Sequence, residues 1–268
     1  MPECRLADGR ALHYRESGSG QPLLLLHGWG MSSAVFDEVV TRLAQRARCI
    51  CPDLPGHGAS PATTEFSLEG LAEAVEALIA ELDLEQPVVL GWSLGGQVAQ
   101  LLASRRQIEL AGLILVSTTP RFVAGADWPH GLPVLQLRAL RRDLQRAYAR
   151  TLGEFFKLMF DGEQLAPERF RAIVRFAAGA ARLPDEKAVL AGLELLQATD
   201  LRGQLAIELP CLVVHGELDR IIPAGAGNYL AAQISGAQLM LFPTAGHAPF
   251  LCHPEQFCAR LESFLHGY

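Results

Sequence analysis

Leu90-Gly91-Trp92-Ser93-Leu94-Gly95-Gly96 follows the apolar run Pro87-Val88-Val89-Leu90 and precedes Gln97-Val98-Ala99-Gln100-Leu101-Leu102-Ala103. The run before it reads as a buried strand and the stretch after it as a helix. A G-x-S-x-G placed between a strand and a helix is the pattern of a nucleophile elbow. The turn drives Ser93 into a strained backbone conformation, so its neighbours must be small. Gly91 and Gly95 have no Cβ to collide across it. Such a turn lifts the Ser93 hydroxyl out of the sheet and aims the amides after it at one point. Gly-Ser-Gly also occurs in ordinary loops; the flanking strand and helix set this one apart.

Working outward, Pro22-Leu23-Leu24-Leu25-Leu26 is too short for a buried helix and ends in His27-Gly28-Trp29-Gly30, so it reads as a central strand. Arg48-Cys49-Ile50-Cys51 is the next strand, closed by a loop at 52–60 that is rich in Gly and Pro and expected to face solvent. Leu113–Ser117, Cys211–Gly216 and Leu239–Phe242 are further strands. Residues 4–16 suggest an edge hairpin broken at Asp8-Gly9. Helical spacing covers 34–44, a stretch from Ser67 to about Leu82, Pro184–Thr199 and Pro254–Leu265. Ser67 is the N-cap of the second of these, with Glu69 in its first turn, although Gly70 stands where a full capping box wants Glu or Gln.

Strands alternating with helices predict a mostly parallel central sheet covered by helices on both faces. In such sheets functional groups gather at the carboxyl ends of the strands. The rhythm changes after Thr118. Residues 121–182 hold no strand-like run and read as an inserted helical cap, with 11 Arg and Lys against 6 Asp and Glu, in a chain of net charge -6. Arg138, Arg141, Arg142, Arg146 and Arg150 fall at three- and four-residue steps, so most can share one helix face. The expected architecture is an α/β fold whose core is built from 1–118 and 187–268, with a helical cap or lid at 119–186.

The 268 residues suffice for a full core, and hydrophobic residues at 50% against charged residues at 19% fit a water-soluble globular enzyme. The acidic balance argues against general nucleic-acid binding. No apolar run approaches membrane-spanning length, and Met1–Arg5 carries no apolar signal core. The six cysteines form no C-x-x-C pair and no dense framework, which fits reduced thiols in a cytoplasmic protein, here expected to be a monomer. No His/Cys/Asp set has metal-ligand spacing, so neither a metal nor another cofactor is expected.

A serine hydroxyl is a poor nucleophile at neutral pH and needs a base and a third group to orient that base. Two later strand ends supply them. His247, in Ala245-Gly246-His247-Ala248-Pro249-Phe250, is the base; Asp219, in Gly216-Glu217-Leu218-Asp219, is favoured as the acid, with Glu217 as its rival. The order Ser, acid, His suits this elbow. An oxyanion needs two amide donors. Leu94 follows the nucleophile directly, and the glycines on both sides of Trp29 let its amide turn toward the same point. Among the other histidines, His215 reads as a core residue within a strand, His253 as a helix-end residue and His57 as a loop residue near the rim.

These residues together resemble the α/β-hydrolase family over nearly the whole chain. Within it the chain is most similar to the esterases that cleave the methyl ester of pimeloyl-acyl-carrier-protein in biotin synthesis. The likeness is carried by Leu25–Gly30, Leu90–Gly96, Gly192-Leu193-Glu194-Leu195-Leu196 with Thr199–Arg202, Leu218-Asp219, and His247–Phe250 with His253-Pro254. The resemblance implies a Ser93, Asp219 and His247 triad, and substrate contacts from Trp29, Ser93, Leu94 and His247. It also implies contacts from a cap segment matching Phe155, Phe156, Lys157, Leu158 and Met159. The family's cap uses arginines to dock the acidic acyl carrier protein, which points to Arg138, Arg142, Arg146 and Arg150. A broad short-chain carboxylesterase, a carbon–carbon bond hydrolase and a slow-turnover ligand-binding relative are the other readings. Dehalogenase and epoxide-hydrolase chemistry would want Asp where Ser93 stands.

Overall fold

The computed structural model describes residues 2–7, 9–63, 66–175 and 183–267. Asp8, at the predicted hairpin break, and residues 176–182, at the end of the predicted helical stretch, lie outside them. The strands are β1 (Glu3–Arg5), β2 (Ala11–Ser17), β3 (Gln21–Leu26), β4 (Ala47–Pro52), β5 (Val88–Trp92), β6 (Gly112–Val116), β7 (Cys211–Gly216) and β8 (Gln238–Phe242). They form one sheet in the order β1-β2-β4-β3-β5-β6-β7-β8. β1 and β2 form the antiparallel edge hairpin, and the pairings from β4 through β8 are all parallel.

Parallel strands covered on both faces must be apolar on both faces. Leu23, Leu24, Leu25 and Leu26 are accordingly all at 0% exposure, each worth about 1.5–3 kcal/mol of burial. The helices are α1 (Asp37–Leu43), α2 (Leu68–Glu81), α3 (Leu94–Arg105), α4 (Val134–Leu158), α5 (Pro167–Ile173), α6 (Glu186–Ala198), α7 (Gly225–Gln233), α8 (Pro249–Cys252) and α9 (Pro254–Leu265). α2 starts where its cap signal stands: the Gly70 amide donates to the Ser67 hydroxyl at 3.0 Å. The register levels the strand ends that matter. Leu26 lies opposite Gly91, Trp92 opposite Val116, Val116 opposite Val214, and Gly216 opposite Phe242. The loops leaving β3, β5, β7 and β8 therefore open on one edge.

The structure differs from the sequence reading at three places. The predicted helix over 34–44 begins as a 3-10 turn at Ser33–Phe36 and becomes α-helical only at Asp37. The loop at 52–60 does not face solvent along most of its length: Asp53 to His57 are buried. Its Asp53 carboxylate accepts the Ser33 amide at 2.8 Å and the Ala59 amide at 2.9 Å, and α6 lies so close that a Cβ on Gly56 would come 2.4 Å from the Ala188 Cβ. Finally, α4 is not one uninterrupted helix. Ala147, at φ -152 and ψ 61, breaks it, so Arg150 does not continue the face started by Arg138, Arg142 and Arg146. Between β6 and α6 the described strand-like pairing is limited to isolated bridges, among them Val123 with Leu132, and Arg121 bridges to Asp200 just after α6.

Candidate active site

Ser93 sits between β5 and α3 at φ 55 and ψ -117, a left-handed backbone that a side chain rarely adopts. Its surroundings fix it there. A Cβ on Gly91 would come 2.3 Å from the Gly95 carbonyl oxygen, and one on Gly95 2.2 Å from the Leu26 carbonyl oxygen. The Ser93 amide donates to the Val116 carbonyl at 3.0 Å, and the Thr118 hydroxyl donates to the Ser93 carbonyl at 2.7 Å. The turn is thus held by β3 on one side and β6 on the other.

The loops after β7 and β8 bring Asp219 and His247 together. His247 Nδ1 lies 2.7 Å from Asp219 Oδ2, and both side chains are buried. It is the Asp219 carboxylate, not that of exposed Glu217, that meets the imidazole. Oδ1 of Asp219 accepts the amides of Ile221 and Ile222 at 2.8 and 2.9 Å. Burial pushes the Asp219 carboxyl up, but His247 and His215 outweigh it and hold the group well below the usual carboxylate range. The carboxylate is therefore ionised, and His247 Nδ1 carries the proton between them. Nε2 is left as the acceptor, the tautomer a general base needs. The His247 carbonyl accepts the Trp92 indole N–H at 2.8 Å, which anchors the loop to β5.

Ser93 and His247 line one small cavity of about 10 Å³ with Gly28, Trp29, Phe155 and Met159. The loop after β3 presses against the elbow: a Cβ on Gly28 would come 3.1 Å from the Ser93 Cβ. Leu94 opens α3, so its amide is one of those that a helix ladder leaves without an internal acceptor. The amides of Trp29 and Leu94 both belong to backbone that adjoins Ser93, as an oxyanion site requires. Trp29 itself is 3% exposed, not a surface aromatic; its indole donates to the Val189 carbonyl at 2.8 Å and its ring meets Phe155 edge-on at 4.9 Å.

Two buried histidines that sequence reasoning did not assign to the site hold this loop from beneath. His27 Nε2 accepts the Leu54 amide at 2.9 Å, and His57 Nε2 accepts the Gly30 amide at 3.2 Å. Each must therefore carry its single proton on Nδ1, toward the Gly28 and Pro55 carbonyls. Burial lowers both, His57 to about 3 with His27 adding to the effect. They stay neutral because a charged ring would lose the acceptor nitrogen. His57 thus buttresses the loop and does not reach the rim as a substrate group.

Residues 21–254 match the family model for the alpha/beta hydrolase fold. The chain belongs to the α/β-hydrolase family. It is 41% identical over 92% of its length to a pimeloyl-acyl-carrier-protein methyl ester esterase of Nitrosomonas europaea, covering 96% of that protein. It is 37% identical over 92% of its length to one of the same name from Chromobacterium violaceum, covering 95% of it. Among solved structures an esterase from Exiguobacterium antarcticum superposes with a TM-score of 0.91 at 26% identity, with 98% of each chain covered.

In this hydrolase the segment from Phe155 to Met159 divides. Phe155 and Met159 line the Ser93 cavity. Phe156 and Lys157 instead line a second, more apolar cavity of about 220 Å³ with Gly30, Met31, Leu152 and Phe170. Leu158 is exposed and lines neither, because it points off the opposite side of the last turn of α4. Arg138, Arg142, Arg146 and Arg150 are all exposed on the hydrolase surface. Arg142 pairs with Asp143 at 3.1 Å and Arg150 with Glu154 at 3.7 Å, and neighbouring Arg141 pairs across to Glu194 of α6 at 2.5 Å. The cap also touches the catalytic loop directly. Glu163 accepts the Gly246 amide at 2.6 Å, a contact that no local sequence signal announces. Among the described residues no helix is long and apolar enough to cross a membrane, and no three His, Cys, Asp or Glu side chains cluster as a metal site requires.

Proposed function

We propose that this hydrolase cleaves the methyl ester of pimeloyl-acyl-carrier-protein, releasing methanol and leaving the carrier-bound acyl chain with a free carboxylate for biotin synthesis. The observation that carries the reading is the likeness, 41% over almost the full length of both chains, to an esterase of that name. The buried His247–Asp219 pair on the Ser93 cavity supports it chemically.

Ser93 Oγ attacks the ester carbonyl while His247 Nε2 takes its proton. The Trp29 and Leu94 amides receive the developing oxyanion. The tetrahedral intermediate collapses, His247 passes the proton to the departing methoxide, and methanol leaves. Water, deprotonated by His247, then attacks the acyl-enzyme and frees the carboxylic acid with Ser93 restored. Asp219 orients the imidazole and balances its charge in both halves. A void of about 10 Å³ at Ser93 holds no more than one water, so Phe155, Met159 and the other side chains lining it must give way to admit an acyl chain.

The thioester at the other end of the same substrate survives because the cap between α4 and α6 sets how far the chain enters, leaving only the distal ester at Ser93. The exposed arginines of α4 give the acidic carrier a complementary face. Two experiments test the reading. The chain should restore growth without biotin to a strain that lacks its own esterase, and Ser93→Ala should not. The purified protein should hydrolyse the methyl ester of the carrier-bound substrate and spare its thioester; comparable thioester cleavage would overturn the proposal.

A further inference from the structure

His215, the fifth residue of β7, is fully buried and stands behind the carboxylate rather than in front of it. Its Nε2 lies 2.9 Å from the Ile222 carbonyl oxygen and 3.3 Å from Asp219 Oδ2. Its other nitrogen, Nδ1, has no hydrogen-bond partner among the described residues. It packs on the backbone of α7, where a Cβ on Gly227 would come 2.7 Å from it. A proton on Nδ1 would be buried with no acceptor, which costs more than an idle lone pair. The ring therefore keeps its one proton on Nε2, donates it to the Ile222 carbonyl and turns that positive edge toward Asp219 Oδ2 at 3.3 Å.

The Asp219 carboxylate is thus held on both oxygens. Oδ1 takes the two amides of Ile221 and Ile222; Oδ2 takes His247 in front and has the His215 N–H 3.3 Å behind it as an electrostatic contact. We infer that His215 is a positioning residue for the hydrolytic reaction: it fixes the Asp219 carboxylate at the rotation that meets His247 and tempers its pull on the His247 proton. This rests on the triad roles assigned above. His215 touches no substrate, since Asp219 lies between it and the Ser93 cavity. The charged and titratable groups acting on the carboxylate are His215 and His247, with Glu163 of the cap acting from farther off.

Removing the Nε2 donor frees Oδ2 to turn and removes a positive N–H dipole from the Asp219–His247 pair. The freed carboxylate then interacts more strongly with the imidazolium formed during turnover, which acts on the acid limb of the rate profile. In His215→Phe, kcat on p-nitrophenyl acetate should fall about tenfold with KM within about twofold. The acid limb of its kcat/KM profile should move upward by about 0.3 to 1 pH unit. His215→Gln, whose Nε2 reaches a similar place as a donor, should recover both, and His215→Met gives a second donor-free variant should the phenylalanine not fold. A residue that served only Ile222 would lower the melting temperature and leave the acid limb unmoved. An unmoved limb with Ser93→Ala inactive would overturn this inference alone; turnover that survives Ser93→Ala would overturn the triad reading beneath it.

Discussion

The Met159 carbonyl accepts the His247 backbone N–H at 2.8 Å, so the end of the cap's long helix is hydrogen-bonded to the histidine that pairs with Asp219. Glu163 makes the same connection one residue earlier, through Gly246. Cap and catalytic loop are thereby one mechanical unit: a shift of α4 large enough to admit substrate acts on the backbone that carries His247.

That coupling makes Glu163 a test position. Glu163→Ala leaves the Gly246 amide buried without an acceptor and should cost about 1–3 kcal/mol of stability, with kcat on a small ester reduced several-fold as the loop loosens. Glu163→Gln keeps an acceptor oxygen and removes a buried charge. Burial pushes the Glu163 carboxyl up, with the Cys252 thiol and the Gly246 amide opposing it. The folded chain therefore holds this proton where the unfolded chain has lost it. Wild-type stability declines as pH rises from the ordinary glutamate value through the raised one. Urea denaturation at pH 5 and pH 8 should show the Gln variant gaining on wild type at the higher pH; parallel curves would dismiss the effect.

His57 predicts the opposite limb. Folded, it takes a proton only near about 3; unfolded, it does so near its ordinary value of 6.5. Between these values the unfolded chain binds the extra proton, so stability falls as pH drops, by about 1.4 kcal/mol per pH unit for one such group. His57→Gln can still accept the Gly30 amide and has nothing to titrate. Its stability between pH 6 and pH 4 should fall less steeply than wild type by up to one proton's worth, with buried His27 supplying the part that remains. Equal slopes would mean that His57 protonates freely in the folded state.

Gly192 is a helix residue whose replacement by alanine would ordinarily add up to about 1 kcal/mol of stability. Here a Cβ would come 2.8 Å from Trp29 Cδ1 and 3.0 Å from its Nε1, and that indole is already tied to Val189 on the same helix. Either α6 or Trp29 must give way, and Trp29 is the residue whose amide is proposed to receive the oxyanion. Gly192→Ala should lower kcat/KM about tenfold and shift the tryptophan emission. A variant with wild-type kinetics would show that the ring moves without its backbone.

The elbow, the strands around it and the two later strand ends were legible because each rests on local chemistry: small residues about a strained turn, and short apolar runs that stop at Gly, His or Asp. Phe155 and Met159 share the Ser93 cavity while Leu158 faces solvent, a split that needs the direction of α4, and Ala147 gives no warning that the helix breaks there. His57 reads as a polar loop residue because nothing local shows α6 covering the loop. Glu163 and Gly246 are 83 residues apart, and His215 meets Asp219 only because the chain turns sharply after β7. Contacts of that kind come from packing between elements, and no periodicity records them.

Ser93 itself offers a stability test that separates fold from chemistry. At φ 55 and ψ -117 its Cβ sits where only glycine is comfortable, a conformation that costs on the order of 1–3 kcal/mol. Ser93→Ala removes the nucleophile and keeps that strain. Ser93→Gly removes both, while losing about 0.5–1 kcal/mol to the greater freedom of an unfolded glycine. Both should be inactive, with Ser93→Gly more stable than Ser93→Ala by about 1 kcal/mol in urea denaturation. If Ser93→Gly proved the less stable of the two, the turn would not be strained at that residue, and the tight contacts of Gly91 and Gly95 would need another cause.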